Sequence, residues 1–229
     1  MTFTQERRDY ALMVMGAIDA RLSQKFATLM EFHSLFTEEA GRIGRGSNQL
    51  AVGTEAHILA WASKWFNGRT LRKPSMPTTH SDPLIPLIAK DFWKLDKSKL
   101  ESIIDLHNVA MSAENVVGQL LEAYIAEKIE PLGWVWCAGS AIKSVDFIKK
   151  IPGKPASWIS LQVKNKSNSE NSSSSSVRSG TSILKWHRLE SSDGSVNWAS
   201  FPEVTDTGLS EEGFHIFVDS VIRNWQELG

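Results

Sequence analysis

Residues 158–180 read WISLQVKNKSNSENSSSSSVRSG. The first nine alternate, with Ile159, Leu161 and Val163 on one side of an extended chain and Trp158, Ser160, Gln162 and Lys164 on the other. That pattern predicts a strand with an apolar and a polar face, and sets Gln162 and Lys164 about 6–7 Å apart, pointing the same way. The serines that follow admit two readings. Low complexity favours a linker, yet the 51 residues after Arg178 open on a helix-like SILKWHRL rather than on a second core. Serine hydroxyls with Asn168 and Asn171 can also cap a helix or reach phosphate oxygens closely.

Working outward, GWVWCAG (133–139) and KSVDFIKK (143–150) are two further strand candidates, the second separated from WISLQVKNK by the turn-rich IPGKPAS. Before them, SAENVVGQLLEAYIAEKI (112–129) predicts a helix capped by Ser112, with Val116, Val117, Leu120, Leu121, Tyr124, Ile125 and Ile129 on its packed face, ending near Pro131 and Gly133. A further helix is expected to begin within or after the serines and to run through ILKWHRLE. The tail around Phe214, Ile216, Val218, Val221 and Trp225 fits either a strand passing into a helix or one helix with a wet face.

At the amino-terminal end, RRDYALMVMGAIDARLSQKFATLMEFHSLFTEEAG reads as one helix despite Gly16, and Gly41, Gly44 and Gly46 mark its break. A second helix is expected over about Gln49 to Trp65. The four prolines of FNGRTLRKPSMPTTHSDPLIP (66–86) predict an irregular segment. Its Arg69, Arg72 and Lys73 fit an ordinary surface loop, or a contact to a phosphate backbone. The fold class is therefore α/β, a mixed central sheet flanked by helices, with a helical amino-terminal region over about 1–100 and a core over about 112–190. The whole chain, 1–229, is expected to be one domain.

A chain of 229 residues with 41% hydrophobic content can bury one substantial core. Its single cysteine, Cys137, forms no internal disulfide and fits a reducing compartment. No apolar run reaches the ~18 residues of a membrane span, and the charged start MTFTQERRDYA is unlike a signal peptide. A cytoplasmic protein is expected. The formal charge of −1 hides an asymmetry: Ser140 to Glu190 carries nine basic side chains against three acidic ones, a net +6, leaving −7 on the remainder. A basic segment on an acidic chain is the footprint of a phosphate-binding face, or of a solvated face without ligand.

Asp146 lies between Val145 and Phe147, and a carboxylate among apolar residues implies a turn, an ion pair with a group such as Lys164, or a metal ion that offsets its desolvation. His80, His107, His187 and His215 lack metal-ligand spacing and fit packing or surface roles, with His187 a candidate phosphate contact. The glycines at 41, 44 and 46 lack the following Lys-Ser/Thr of a phosphate loop.

An aspartate, then an acidic or amide residue, one apolar residue and lysine, on two strands behind a glutamate-bearing helix, resembles the nuclease superfamily named for its Pro-Asp…Asp/Glu-X-Lys signature. More narrowly, QVKNKSNSENSSSSSVRSGTSILKWHR resembles the catalytic stretch of type II restriction endonucleases that cut GGWCC sites, W being A or T. The resemblance implies Asp146 as a metal-binding carboxylate, Gln162 where most members carry Asp or Glu, Lys164 as the catalytic lysine and Glu122 as the helical glutamate. It departs from the pattern in lacking a proline before Asp146 and in the amide at Gln162, which offers a carbonyl oxygen but no charge. The implied metal is Mg²⁺, held by Asp146, Gln162 and Glu122. Lys166, Asn168, Asn171, Ser172, Ser173, Ser174, Arg178, Lys185 and Arg188 are the expected DNA contacts, the last three spaced by seven and three as if along a helix beside the duplex. The resemblance further implies hydrolysis of double-stranded DNA to 5′-phosphate and 3′-hydroxyl ends, a homodimer on a palindromic site, and a cognate DNA methyltransferase protecting the host. A non-catalytic DNA-binding module with a decayed site is the alternative, and Gln162 is its main support.

Overall fold

The computed structural model describes residues 3–76, 82, 84–153, 157–167, 183–202 and 207–227. Two compact units emerge, one formed by 1–71 with 121–229 and the other by 72–120.

In the first unit, the long amino-terminal helix is two helices, α1 (Gln5–Ile18) and α2 (Ser23–Leu35). The break falls at Asp19 rather than Gly16. Asp19 is extended (φ −153°, ψ 107°), and its carboxylate accepts the Arg21 backbone N–H at 2.9 Å and grips the Arg21 guanidinium. A short side chain that satisfies the backbone outside a helix is what makes aspartate a helix stop and start. The next helix, α3 (Glu55–Gly68), begins later than expected, where the Thr54 hydroxyl accepts the His57 N–H.

In the second unit, α4 (Leu84–Trp93) begins inside the proline-rich segment. Pro86 falls in its first turn, where a missing N–H costs no intrahelical bond. The helix placed at 112–129 is much longer: α5 covers Lys97–Ile129, 33 residues. Ser112 is therefore interior and not a cap; Asp96 takes that role, accepting the Lys99 N–H at 2.9 Å. The carboxyl-terminal part of α5, from Leu121, belongs to the first unit.

Three of the four strands follow the sequence: β1 (Trp134–Trp136), β2 (Phe147–Lys150) and β3 (Trp158–Lys166). The fourth corrects it. ILKWHRL is not a helix but β4 (Ile183–Leu189), parallel to β3. The sheet order is β1-β2-β3-β4, with the first two pairings antiparallel, so it is mixed as expected. A parallel pair needs a crossover connection of about a dozen residues or more. Residues 167–182, which join β3 to β4 in the sequence, are long enough for one. β4 is strand because alternation serves it: Trp186 and Arg188 are buried, and Trp186 packs 4.9 Å from both Trp198 and Phe201. The tail resolves as one helix, α6 (Glu211–Glu227), burying Phe214 and Val221.

The core of this unit is built from Phe26, Trp61, Trp65, Leu121, Tyr124, Trp134, Phe147 and Leu161, all at or below 1% exposure. Cys137 is buried there, and the nine tryptophans are mostly interior, with Trp93 an exception at 62% exposure. No described helix is long and apolar enough to cross a membrane.

Candidate active site

The first unit brings α5, β1, β2 and β3 together around two carboxylates. Asp146 sits one residue ahead of β2, and the sheet holds it from three directions. Its N–H donates to Leu161 at 2.9 Å, its carbonyl accepts the Cys137 N–H at 2.8 Å, and its Oδ2 accepts the Val163 N–H at 2.7 Å. The side chain thus stands in for a backbone acceptor at the point where the β2–β3 ladder ends. The register Phe147↔Leu161 continued by one step sets Asp146 opposite Gln162.

Glu122 comes from the turn of α5 that buries Leu121 and Tyr124. The Trp136 indole N–H donates to Glu122 Oε2 at 2.7 Å. Burial, with Asp146 nearby adding its negative charge, pushes Glu122 up to about 7 against the opposing pull of that indole bond. Two carboxylates that resist being charged together are a place where a cation gains most, since it offsets both desolvation and mutual repulsion. Gln162, opposite Asp146 by strand register, is the residue that could add an amide oxygen to such a set. Oxygen donors of this kind suit a hard divalent ion such as Mg²⁺, and the residues fit one. Among the described residues no cluster of three His, Cys, Asp or Glu forms a metal site; the set here is two carboxylates and an amide.

The polar face of β3 extends across the parallel ladder, which pairs Gln162 with Lys185 and Lys164 with His187. Lys185 is exposed and Lys164 half-buried. His187 Nε2 lies 2.6 Å from Glu190 Oε1. Lys166 is exposed at the end of β3, beside Leu189. Arg188 does not share a helical face with Lys185, because strand alternation puts the two on opposite sides. It is 9% exposed, with Nε bonded to Asn165 at 2.9 Å, a guanidinium nitrogen on Glu211, and Phe214 packed beneath. Asn168, Asn171, Ser172, Ser173, Ser174 and Arg178 lie outside the described residues, as does His80.

Behind Trp136 stands a group that sequence inspection missed. Arg69 makes a two-pronged pair with Glu130, both bonds 2.8 Å, and Lys25 joins at 3.1 Å. Although burial alone would raise Glu130, the Arg69 fork holds it below the usual carboxylate range. Glu130 Oε1 also accepts the Trp136 backbone N–H at 3.2 Å, and the Arg69 guanidinium lies 5.1 Å from the Trp136 ring. Arg69 is thus an internal anchor rather than a loop cation. Arg69 caps the end of α3, where the helix dipole favours a cation, but no sequence signal named Glu130 as its partner.

The sequence matches the SinI restriction endonuclease family over residues 8–224. The chain belongs to that family. It is 41% identical over 222 residues to the type II restriction enzyme Eco47I of Escherichia coli, and 38% identical over 222 residues to the type II restriction enzyme SinI of Salmonella infantis, with 96% of each chain covered in both comparisons. As a member of the SinI family, the chain is a site-specific DNA endonuclease of type II, and the Asp146 to Lys164 region falls within the matched span.

Proposed function

We propose that this family member cuts both strands of a short palindromic GGWCC-like site as a homodimer, one Mg²⁺-dependent site per subunit, leaving 5′-phosphate and 3′-hydroxyl ends. Its setting is the cytoplasm, beside a DNA methyltransferase that protects the same sequence. The observation that carries this reading is the Glu122–Asp146 pair set against the strand bearing Gln162 and Lys164.

Glu122, Asp146 and Gln162 would hold the metal. When bound, Mg²⁺ supplies Lewis-acid polarisation of the phosphate and a more acidic water. Lys164, on the same strand face as Gln162, orients the attacking water and offsets negative charge growing on the phosphoryl oxygens. Asp146 stays fixed by the Val163 N–H, and Trp136 fixes the rotamer of Glu122. Lys185 and Lys166, exposed along β4 and β3, contact the DNA backbone, as do the side chains of the serine connection.

The test is plasmid cleavage with and without Mg²⁺, using Lys164→Ala as control, followed by end-sequencing of the fragments. Discrete fragments whose ends map to GGWCC sites, lost in Lys164→Ala, are expected. Salt-sensitive binding without cutting in several metals and buffers would instead assign the chain to the non-catalytic alternative that Gln162 favours.

A further inference from the structure

We propose that α4 and the first half of α5 form a self-association surface, which pairs with the same surface of a second copy. All ten residues of α4 lack burial, although six of them are Leu, Ile, Phe or Trp. Phe92 is 77% exposed, Trp93 62% and Leu106, on α5, 69%. Ten large apolar side chains on these two helices are between 39% and 77% exposed. Summed over the two helices they expose on the order of 1,000 Å², comparable to the ~800 Å² that each partner gives to a stable interface.

The pattern on α5 says what kind of partner fits. Ile103, Leu106, Ala110 and Ala113 recur at spacings of three, four and three, the seam of a two-helix coiled coil. Two copies crossing antiparallel about a two-fold axis level with Asn108 set Ile103 against Ala113 of the other copy, and Leu106 against its Ala110. Large side chains then meet small ones in every layer, the self-complementarity that a two-fold interface requires. An unrelated partner gains nothing from that match. Charged groups within the stretch, Glu101, Asp105 and Glu114, fall off the seam.

This inference rests on the dimer in the proposed function but not on the metal site, and mass measured without DNA or metal separates the two. Wild-type chain is expected at twice its 25.5 kDa mass by light scattering. Leu106→Glu is expected at the single-chain mass with an unchanged circular dichroism spectrum. Mixing it with Ala110→Lys chains should restore the double mass, because the two new charges meet across the seam. Should Leu106→Glu fail to fold, Ala110→Lys alone, at an exposed helical position, is expected to weaken the dimer at least tenfold. A wild-type monomer, which would mean the patch is covered by its own chain or left bare, overturns the proposal. So does a dimer that both substitutions leave intact, or a mixture that stays monomeric. A dimer that never cuts DNA would count against the catalytic reading alone.

Discussion

The Trp136 indole N–H donates to Glu122 at 2.7 Å while the Trp136 backbone N–H donates to Glu130, which Arg69 clamps through two bonds. A candidate metal ligand is therefore oriented by a tryptophan whose own position is set by a buried ion pair. Trp136→Phe keeps the ring and removes the donor. Supporting groups of this kind typically contribute about 10–100-fold to metal affinity or activity. The expected outcome is a loss of that size in Mg²⁺-dependent cleavage, partly recovered at higher Mg²⁺, with Ca²⁺ affinity by calorimetry falling in parallel.

Asp146→Asn separates charge from structure. The amide oxygen can still accept the Val163 N–H, so the ladder end survives, but the negative ligand is gone. Cleavage should drop by about 10³-fold or more, equivalent to roughly 4 kcal/mol of transition-state stabilisation, while the melting temperature moves by only a few degrees. A large loss of melting temperature would make Asp146 chiefly structural.

Arg69→Met leaves Glu130 buried with Lys25 as its one remaining ion-pair partner among the described residues. Breaking a buried pair from one side costs about 3–5 kcal/mol, or roughly 10 °C in a chain of this size. Denaturant melts should show that loss, and a restored fold in an Arg69→Met/Glu130→Gln double variant.

His33 and His57 pack with Trp61, ring centres 5.4–6.5 Å apart, and are at or below 1% exposure. Burial lowers His33 to about 3 and His57 to about 4. The His33 Nε2–H donates to the Ala141 carbonyl at 2.7 Å, a bond that favours the charged ring, but burial outweighs it and the folded state holds the ring neutral. Since the unfolded chain titrates near 6.5, it binds more protons than the folded chain below that pH. Stability is then complete above about pH 7 and falls between pH 6.5 and the folded values. His33 alone accounts for about 2 kcal/mol between pH 7 and 5, and urea midpoints across that range should fall less steeply in His33→Gln.

Lys185 and Arg188 should behave oppositely. Lys185→Ala, on the exposed face beside Gln162, is expected to leave stability within about 0.5 kcal/mol and to lower the salt slope of DNA binding by about one. Arg188→Ala should destabilise the chain through lost bonds to Asn165 and Glu211, and weaken binding only as far as folding is lost. Equal salt-slope changes in both would count against this division.

The strands around the site were legible because alternation is local: WISLQVK orders its own faces, and GWVW and DFIKK are short apolar runs between turns. Glu122, Asp146, Gln162 and Lys164 were likewise nameable from the sequence, and the structure brings Asp146 beside both Glu122 and the Gln162 strand position. The fourth strand was not legible, because ILKWHRL has no strong preference of its own and becomes strand only by pairing with β3. That pairing reverses the placement of Arg188, whose guanidinium turns inward, and puts Lys185 beside Gln162. The Arg69–Glu130–Trp136 anchor was equally hidden, since its ion pair spans 61 residues and no spacing rule links positions so far apart. Periodicity thus determined which segments are amphipathic, and the resemblance named the candidate site residues. Only tertiary packing decided which of them lose water, and desolvation is what lifts Glu122, holds Trp136 and turns Arg188 into structure.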